Sequence, residues 1–198
     1  MKIFFTVMLF LSVTFTQVHA QQAFTRSELT YTIHPGTVTL NDGQILSGYV
    51  FNNRYSENQK KCEFYTDYKD SRTRKVYKPS EIAGYSIEND QYKSVPYNGN
   101  IAFGKPSPQF LYITKPGAIN SLVYYIDGQP QPVWQKGNDE AVTNSSLLFK
   151  FNKNVLRLVS DYPELVDKIN RKEKGYGMLG LDNIVNEYNT WAAAKPKQ

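Results

Sequence analysis

Apolar positions follow three successive rhythms in this chain: an unbroken run at the start, alternation through the middle, and helical spacing at the end. The opening run, Ile3 to Phe15, follows the positive Met1-Lys2 start and precedes Val18-His19-Ala20. Charge, apolar stretch and small-residue site in that order predict a secretory signal peptide at 1–20, cut after Ala20. The run is shorter than the roughly 20 apolar residues that a spanning helix requires. No cysteine follows Ala20, so the lipid-bearing cysteine of a bacterial lipoprotein is not expected, and Gln21 becomes the new N terminus. The expected location is periplasmic or secreted.

Alternation begins after a polar lead from Gln21 to Arg26. Leu29, Tyr31 and Ile33 fall on one side of a strand, and His34-Pro35-Gly36 is expected to break it. Thr37 to Leu40 and Ile45 to Phe51 flank Asn41-Asp42-Gly43-Gln44. Asp-Gly between β-rich runs predicts a hairpin, because glycine accepts positive φ. Gly48 in the second arm suggests a bulge or bend. Further strands are expected at Lys61 to Thr66, Arg74 to Tyr77, Ala83 to Ile87 and Gln91 to Val95, with one helical turn at Pro79 to Ile82. Residues 96–108, rich in Pro, Gly and Asn, read as a linker. A second hairpin follows, from Phe110 to Lys115 and Leu122 to Ile126 around Pro116-Gly117, closing on Asp127-Gly128. Gln129 to Ser145 reads mostly as loop, anchored by Val133 and Trp134, and Ser146 to Phe151 as a last strand.

The spacing changes at Asn154. Val155, Leu158, Val159 and Tyr162, then Leu165, Val166 and Ile169, recur every three or four residues, with Asp161 and Pro163 placed as at a helix start. Gly175, Gly177 and Gly180 predict a flexible break. Asp182 is the expected N-cap of a closing helix whose Ile184, Val185, Tyr188 and Trp191 form one apolar stripe. The expected fold class is therefore α+β with β dominant: an antiparallel sheet or small barrel followed by a C-terminal helical region. Its divisions are a leader at 1–20, a β region at 21–152 whose one internal boundary would fall near 96–108, and a helical region at 153–198 packed on it.

Composition narrows the chemistry. About 178 residues remain after the leader, enough for a core without staples. Cys62 is the only cysteine, which excludes intrachain disulfides and cysteine-built zinc sites; it shares a strand face with Phe64 and Thr66 and is expected to be buried and inert. His34 is the only histidine outside the leader and is expected to be a turn residue, so no triad or multi-histidine metal site is expected. No nucleophile elbow, zinc-protease helix, phosphate loop or dinucleotide fingerprint occurs. No cofactor is called for. Asp42, Asp127, Asp139 and Glu140 lie in expected loops where paired carboxylates could act on a glycoside, but turn chemistry explains Asp42-Gly43 and Asp127-Gly128 directly. Asn138-Asp139-Glu140 lacks the spacing of a calcium loop, and Asn144-Ser145-Ser146 fits a glycosylation acceptor.

The formal charge is +5, or +4 once Lys2 leaves with the leader. It thickens between Lys60 and Lys78, where seven cations meet three carboxylates. Arg72, Arg74, Lys75 and Tyr77 are the candidate binding residues of this patch, which suits phosphate, anionic lipid or acidic polysaccharide. The competing reading is a solvated hairpin whose charges guard an edge strand. No helix-borne basic stripe accompanies it, so nucleic acid is not an expected partner. Of fifteen tyrosines, Tyr65, Tyr68, Tyr77, Tyr85, Tyr92 and Tyr97 could line a sugar- or peptide-binding face, or simply pack strands.

The run from Gly36 to Val50, GTVTLNDGQILSGYV, continued by Tyr77 to Tyr85, YKPSEIAGY, resembles a broad group of uncharacterised exported proteins of Bacteroidetes-type bacteria. The stretch from Asp161 through Tyr188 is similar to their helical ends. The resemblance implies a bacterial cell envelope, and no activity or functional residues. Strand, Asp-Gly turn and glycine-containing strand are also similar to the opening of small SH3-like or Sm-like barrels, a likeness that carries no function. The expected function is an exported, non-catalytic binding module of the envelope for protein, peptide or glycan. The alternatives are a hydrolase of a cell-wall or dietary polymer using loop carboxylates, and a structural subunit whose flat β edge pairs with itself.

Overall fold

The computed structural model of the protein describes residues 32–98 and 105–195. The expected leader, Leu29 and Tyr31 of the first alternating stretch, and residues 99–104 of the expected linker lie outside the described residues. The chain runs β1 (Thr32–Leu40), β2 (Ile45–Asn52), α1 (Tyr55–Asn58), β3 (Cys62–Tyr65), β4 (Arg74–Tyr77), β5 (Ile82–Ile87), β6 (Asp90–Tyr97), β7 (Ser107–Lys115), β8 (Ile119–Ile126), β9 (Gln129–Lys136) and β10 (Val142–Thr143). Helices α2 (Asn144–Val159), α3 (Pro163–Asn170) and α4 (Leu181–Ala194) close it. The strands form one antiparallel sheet in the order β10-β9-β8-β7-β6-β5-β1-β2-β3-β4. The fold is β-dominant α+β, and the sheet is open.

Turn chemistry sets the hairpins. At Asn41 to Gln44, Gly43 takes φ +89° and the Asp42 carboxylate accepts the Gln44 N–H at 2.9 Å. At Asp127-Gly128 both residues have positive φ, +49° and +77°, the backbone twist that two-residue hairpins favour. Ile126 and Gln129 then face each other across the turn, Tyr125 opposes Pro130 and Val123 opposes Pro132. In that alternation, positions 130 and 132 would point their N–H groups away from β8. Both are proline, so nothing is lost from the ladder and the outer margin of β9 carries two fewer donors.

The first five strands curl. Chain connectivity forces this: β4 is an edge strand, β5 lies four strand intervals away beside β1, and only residues 78–81 join them. Four intervals in a flat sheet span about 19 Å, slightly more than this link reaches fully stretched at about 3.5 Å per residue. The link is not stretched, since Glu81 N–H bonds back to Lys78 O at 3.0 Å. This hydrogen-bonded turn stands where a helical turn was expected. The sheet therefore bends until the end of β4 approaches the start of β5, without the two pairing. Gly36 and Gly48, opposed in register, permit the bend. A Cβ on Gly36 would lie 2.2 Å from the Ser86 carbonyl oxygen, and one on Gly48 2.4 Å from that of Tyr65. Gly48 makes room in this way, and the β1–β2 register runs through it without the expected bulge.

Several expectations change. His34-Pro35-Gly36 does not end a strand; β1 passes straight through it, paired to Val50, Tyr49 and Gly48. Pro96 and Pro108 are strand residues, directly opposed, and the sheet continues on both flanks of the expected linker. Gln129 to Lys136 is a strand, not loop, its alternation hidden by the two edge prolines. Residues 146–151 belong to α2, not to a last strand. A capping box starts this helix: Thr143 Oγ1 accepts the Ser146 N–H at 3.2 Å, and Ser146 Oγ accepts the Thr143 N–H at 3.0 Å. Helical geometry breaks at Lys150 (φ −146°, ψ 56°), and the Asn154 side chain donates to the Ser146 carbonyl that residue 150 would serve in a regular helix. Asp182 sits in the first turn of α4, whose N-cap is Gly180.

Three clusters make the core. Inside the curl lie Val38, Val50, Cys62, Phe64, Tyr85, Tyr92 and Phe110. A small cluster under β6–β9 joins Val95, Leu111, Leu122 and Val133. The largest couples helices to sheet, setting Leu158, Leu165, Ile169, Ile184 and Tyr188 against Ile119, Trp134 and Val142. Pro163 occupies the first turn of α3, and Ile184, Val185 and Tyr188 form the buried stripe of α4.

A polar clasp joins α3 to α4. Glu187 accepts Lys168 Nζ at 2.9 Å and the Tyr176 hydroxyl at 2.6 Å. Burial pushes its carboxyl up, but the two hydrogen bonds and the ammonium charge outweigh this and hold it below the ordinary carboxylate range. A carboxyl lowered by folding stabilises above its unfolded value, about 4.3, and loses that contribution as the pH falls through the folded one. Glu187→Gln should lower the melting temperature at pH 7, and the gap to the parent should close as the pH falls below about 4 in a calorimetric series.

Candidate functional site

The structure divides the four candidate residues of the basic hairpin. Arg72 lies in a single 3-10 turn, Ser71–Thr73, and grips Asp70 at 2.7 Å; Arg74 grips Glu63 at 2.8 Å. Glu63 also holds Lys61, and these hydrogen bonds and charges keep its carboxyl low against the upward push of burial. Lys75 and Tyr77 lie on the opposite face of β4 from Arg74, with Lys75 Nζ 4.7 Å from the Tyr77 ring centre. Tyr77 is buried beside Phe64. The three candidates on β4 thus divide between its two faces, Tyr77 among them is core, and Arg72 lies in the turn before the strand. Their strand is the sheet's margin, so the exposed Arg74 and Lys75 charge an edge.

The tyrosines mostly pack strands. Tyr85 stacks on Tyr92 at 4.6 Å and meets Phe110 edge-on at 4.9 Å, while Tyr77 and Tyr97 are also buried. Tyr65 is half-buried, and Tyr68, exposed, leans on Tyr49. Cys62 is sealed in the core, where burial first and the Glu63 charge second push its thiol far up, the opposite of an activated nucleophile.

His34 is not the turn residue its Pro-Gly neighbours suggest. It is buried in β1, with Nδ1 2.7 Å from Glu88 Oε1 and Nε2 2.5 Å from Thr32 Oγ1. Glu88 reaches it from the β5–β6 turn at φ +51°, a turn pinned by Glu88 N–H to Pro35 O at 2.8 Å. Hydroxyl, imidazole and carboxylate stand in the order of a nucleophile, base and orienting acid. Their surroundings are those of a satisfied buried side chain, both ring nitrogens partnered as burial demands. Asn52, opposite Thr32, continues the polar seam through Asn58, whose carbonyl accepts the Tyr85 hydroxyl at 2.7 Å.

The acidic loop residues sit in local turns and pairs. Asp42 closes its hairpin, Asp127 occupies a positive-φ turn position, the Asp139 N–H bonds to Lys136 O, and Glu140 pairs with Arg157. Among the described residues no three His, Cys, Asp or Glu side chains gather as metal ligands.

Exposed apolar side chains converge at the helical end. A cleft of about 360 Å³ opens between Trp134 of β9, Leu147 and Leu148 of α2, and Met178, Leu179 and Leu181 at the entry to α4. Asn144 and Asp182, each in the first turn of a helix, supply its polar wall. Its rim is open to solvent: Leu148 is 67% exposed, neighbouring Phe149 84%, Met178 43%, and Leu179 fully. The loop carrying Met178 and Leu179, at the expected break, is compact. Gly175 takes φ +90°, a Cβ on Gly180 would lie 1.8 Å from the Gly175 carbonyl oxygen, and Gly180 N–H bonds to Gly177 O at 2.9 Å. Tyr176, tied to Glu187, anchors that loop to α4. A second, shallower depression of about 460 Å³ lies on the outer face of β1, β5 and β6, with Thr37, Ser86, Gln91 and Lys93 at its surface. Of the Thr32-His34-Glu88 chain, only Glu88 touches either depression.

The architecture defines the chain's class as a curled, open antiparallel sheet carrying a helical cap with an apolar cleft. No protein-family model, curated protein or solved structure matches it. No helix among the described residues is long and apolar enough to cross a membrane.

Proposed function

We propose that the protein is an exported, non-catalytic binding module of a bacterial cell envelope, and that its ligand-facing region is the apolar cleft of the helical cap. One observation carries the reading: Leu148, Met178 and Leu179 line one cleft and are exposed to solvent, with Phe149 exposed next to Leu148 in the chain, on elements shaped by a capping box and a glycine-locked loop. Isolated exposed apolar residues need no explanation, but a contiguous group around a concavity marks a contact surface. The sequence adds the expected export signal. The hydrolase alternative draws no support from Asp42 and Glu140, whose carboxylates are engaged in a hairpin turn and an ion pair.

An apolar fluorescent probe, N-phenyl-1-naphthylamine, tests the cleft. It should bind saturably to the parent, and Leu179→Glu should weaken binding by about tenfold or more, the effect of setting a charge in an apolar contact. Ile45→Glu, at an exposed apolar position on β2 outside the cleft, should leave it unchanged. Equal titrations for all three proteins would discard the cleft as a binding region.

A further inference from the structure

The residues around the cleft say what it meets. On α2, Lys150 and Lys153 follow Leu148 and Phe149 in the chain; Lys172 and Lys174 precede Met178 and Leu179 in the link between α3 and α4. All four are exposed, and none has a carboxylate within ion-pair distance among the described residues. The other cations of this region are spent internally: Arg157 on Glu140, Lys168 on Glu187, Arg171 on Glu173, Lys195 on Asp161. Unpaired lysines thus lie on both of the chain segments that supply the apolar rim.

Protein–protein contacts are poor in lysine, because an ammonium is costly to strip of water. At a lipid surface the same arrangement is favourable: apolar side chains enter the acyl boundary while long lysine stems lie along it and leave their charges among anionic headgroups. From this complementarity, and resting on the reading of the cleft as the ligand-facing region, we infer that the helical cap docks peripherally on an anionic lipid surface. Leu148, Phe149, Met178 and Leu179 enter the boundary, and Lys150, Lys153, Lys172 and Lys174 meet the headgroups. Contact of this kind needs no spanning helix.

The test is vesicle co-sedimentation of the exported protein, its N terminus read by mass spectrometry, with phosphatidylglycerol–phosphatidylcholine vesicles and with phosphatidylcholine alone. Partitioning should require phosphatidylglycerol and weaken with salt. Lys150→Gln with Lys153→Gln should reduce it at least about tenfold, since each lysine near such a surface contributes a few-fold. Leu148→Ser, Phe149→Ser and Leu179→Ser together should abolish it while the circular dichroism spectrum stays that of the parent; should that triple variant misfold, the lysine pair and the lipid dependence decide alone. Equal binding to both vesicle types, binding undiminished in the variants, or light scattering showing a dimer that covers the rim in place of vesicle binding would each overturn the inference. Probe binding retained without vesicle binding would remove the lipid surface and leave the cleft reading standing.

Discussion

Phe110→Ala should melt roughly 6–20 °C below the parent, the shift that a loss of about 3–5 kcal/mol produces in a chain of this size. Phe110 is completely buried on β7, edge-on to Tyr85, in the cluster that fills the curl of the sheet. Its neighbours are poorly able to collapse into the space. Tyr85 is held by its stack on Tyr92 and by its hydroxyl bond to Asn58 O, while Phe110 N–H itself bonds to Gln59 O at 2.9 Å and fixes the backbone around the vacancy. A cavity that cannot relax lies at the costly end of such substitutions. Thermal denaturation followed by circular dichroism measures the shift, and a loss below about 1 kcal/mol would show that the rings repack.

Tyr188→Ala should cost a similar amount, about 3–5 kcal/mol, at the other end of the molecule. The ring is buried between Trp191, at 5.4 Å, and the Lys136 ammonium, at 4.9 Å, and its hydroxyl donates to both Asp161 oxygens at 3.0 Å. Lys136 belongs to β9 and Asp161 to the link between α2 and α3, so the side chain ties α4 to sheet and neighbouring helix together. Tyr188→Phe keeps the packing and leaves Asp161 still paired with Lys136, so its cost should be about 1 kcal/mol. Because Ile119, Trp134 and Val142 of the sheet share the helical cluster, cap and sheet should melt together. A calorimetric trace in which Tyr188→Ala lowers one transition and leaves a second in place would show instead that the cap melts alone.

Local signals in the sequence reported local structure well. The Asn41 to Gln44 hairpin, strand β4, Pro163 opening α3 and the stripe of α4 all follow from turn chemistry and periodicity. The misread segments are those where a residue's usual meaning is reversed by its neighbours. Pro130 and Pro132 suggest loop, yet occupy strand positions that need no donor. His34-Pro35-Gly36 suggests a break, yet β2 pairs with it throughout. Leu147, Leu148, Phe149 and Phe151 resemble a strand because their crowding hides the Thr143–Ser146 box, in which serine replaces the usual Glu or Gln.

The cleft was not legible for a different reason. It depends on Leu148 lining one space with Met178 and Leu179, thirty residues along, and no local pattern in the sequence reports that meeting or their exposure. The candidate patch is divided for the converse reason. Arg72, Arg74, Lys75 and Tyr77 are close in sequence, but strand alternation sends Arg74 away from Lys75 and Tyr77, and Asp70 and Glu63 claim the two arginines.

The two margins of the open sheet have a bearing on recognition. Backbone-mediated recruitment of a peptide, in which an incoming segment zips onto a bare rim, needs unclaimed amides in a row. One margin is crowded by arginine and lysine, and the other is interrupted at Pro130 and Pro132. Neither invites a guest strand, so fibrous self-propagation is discouraged.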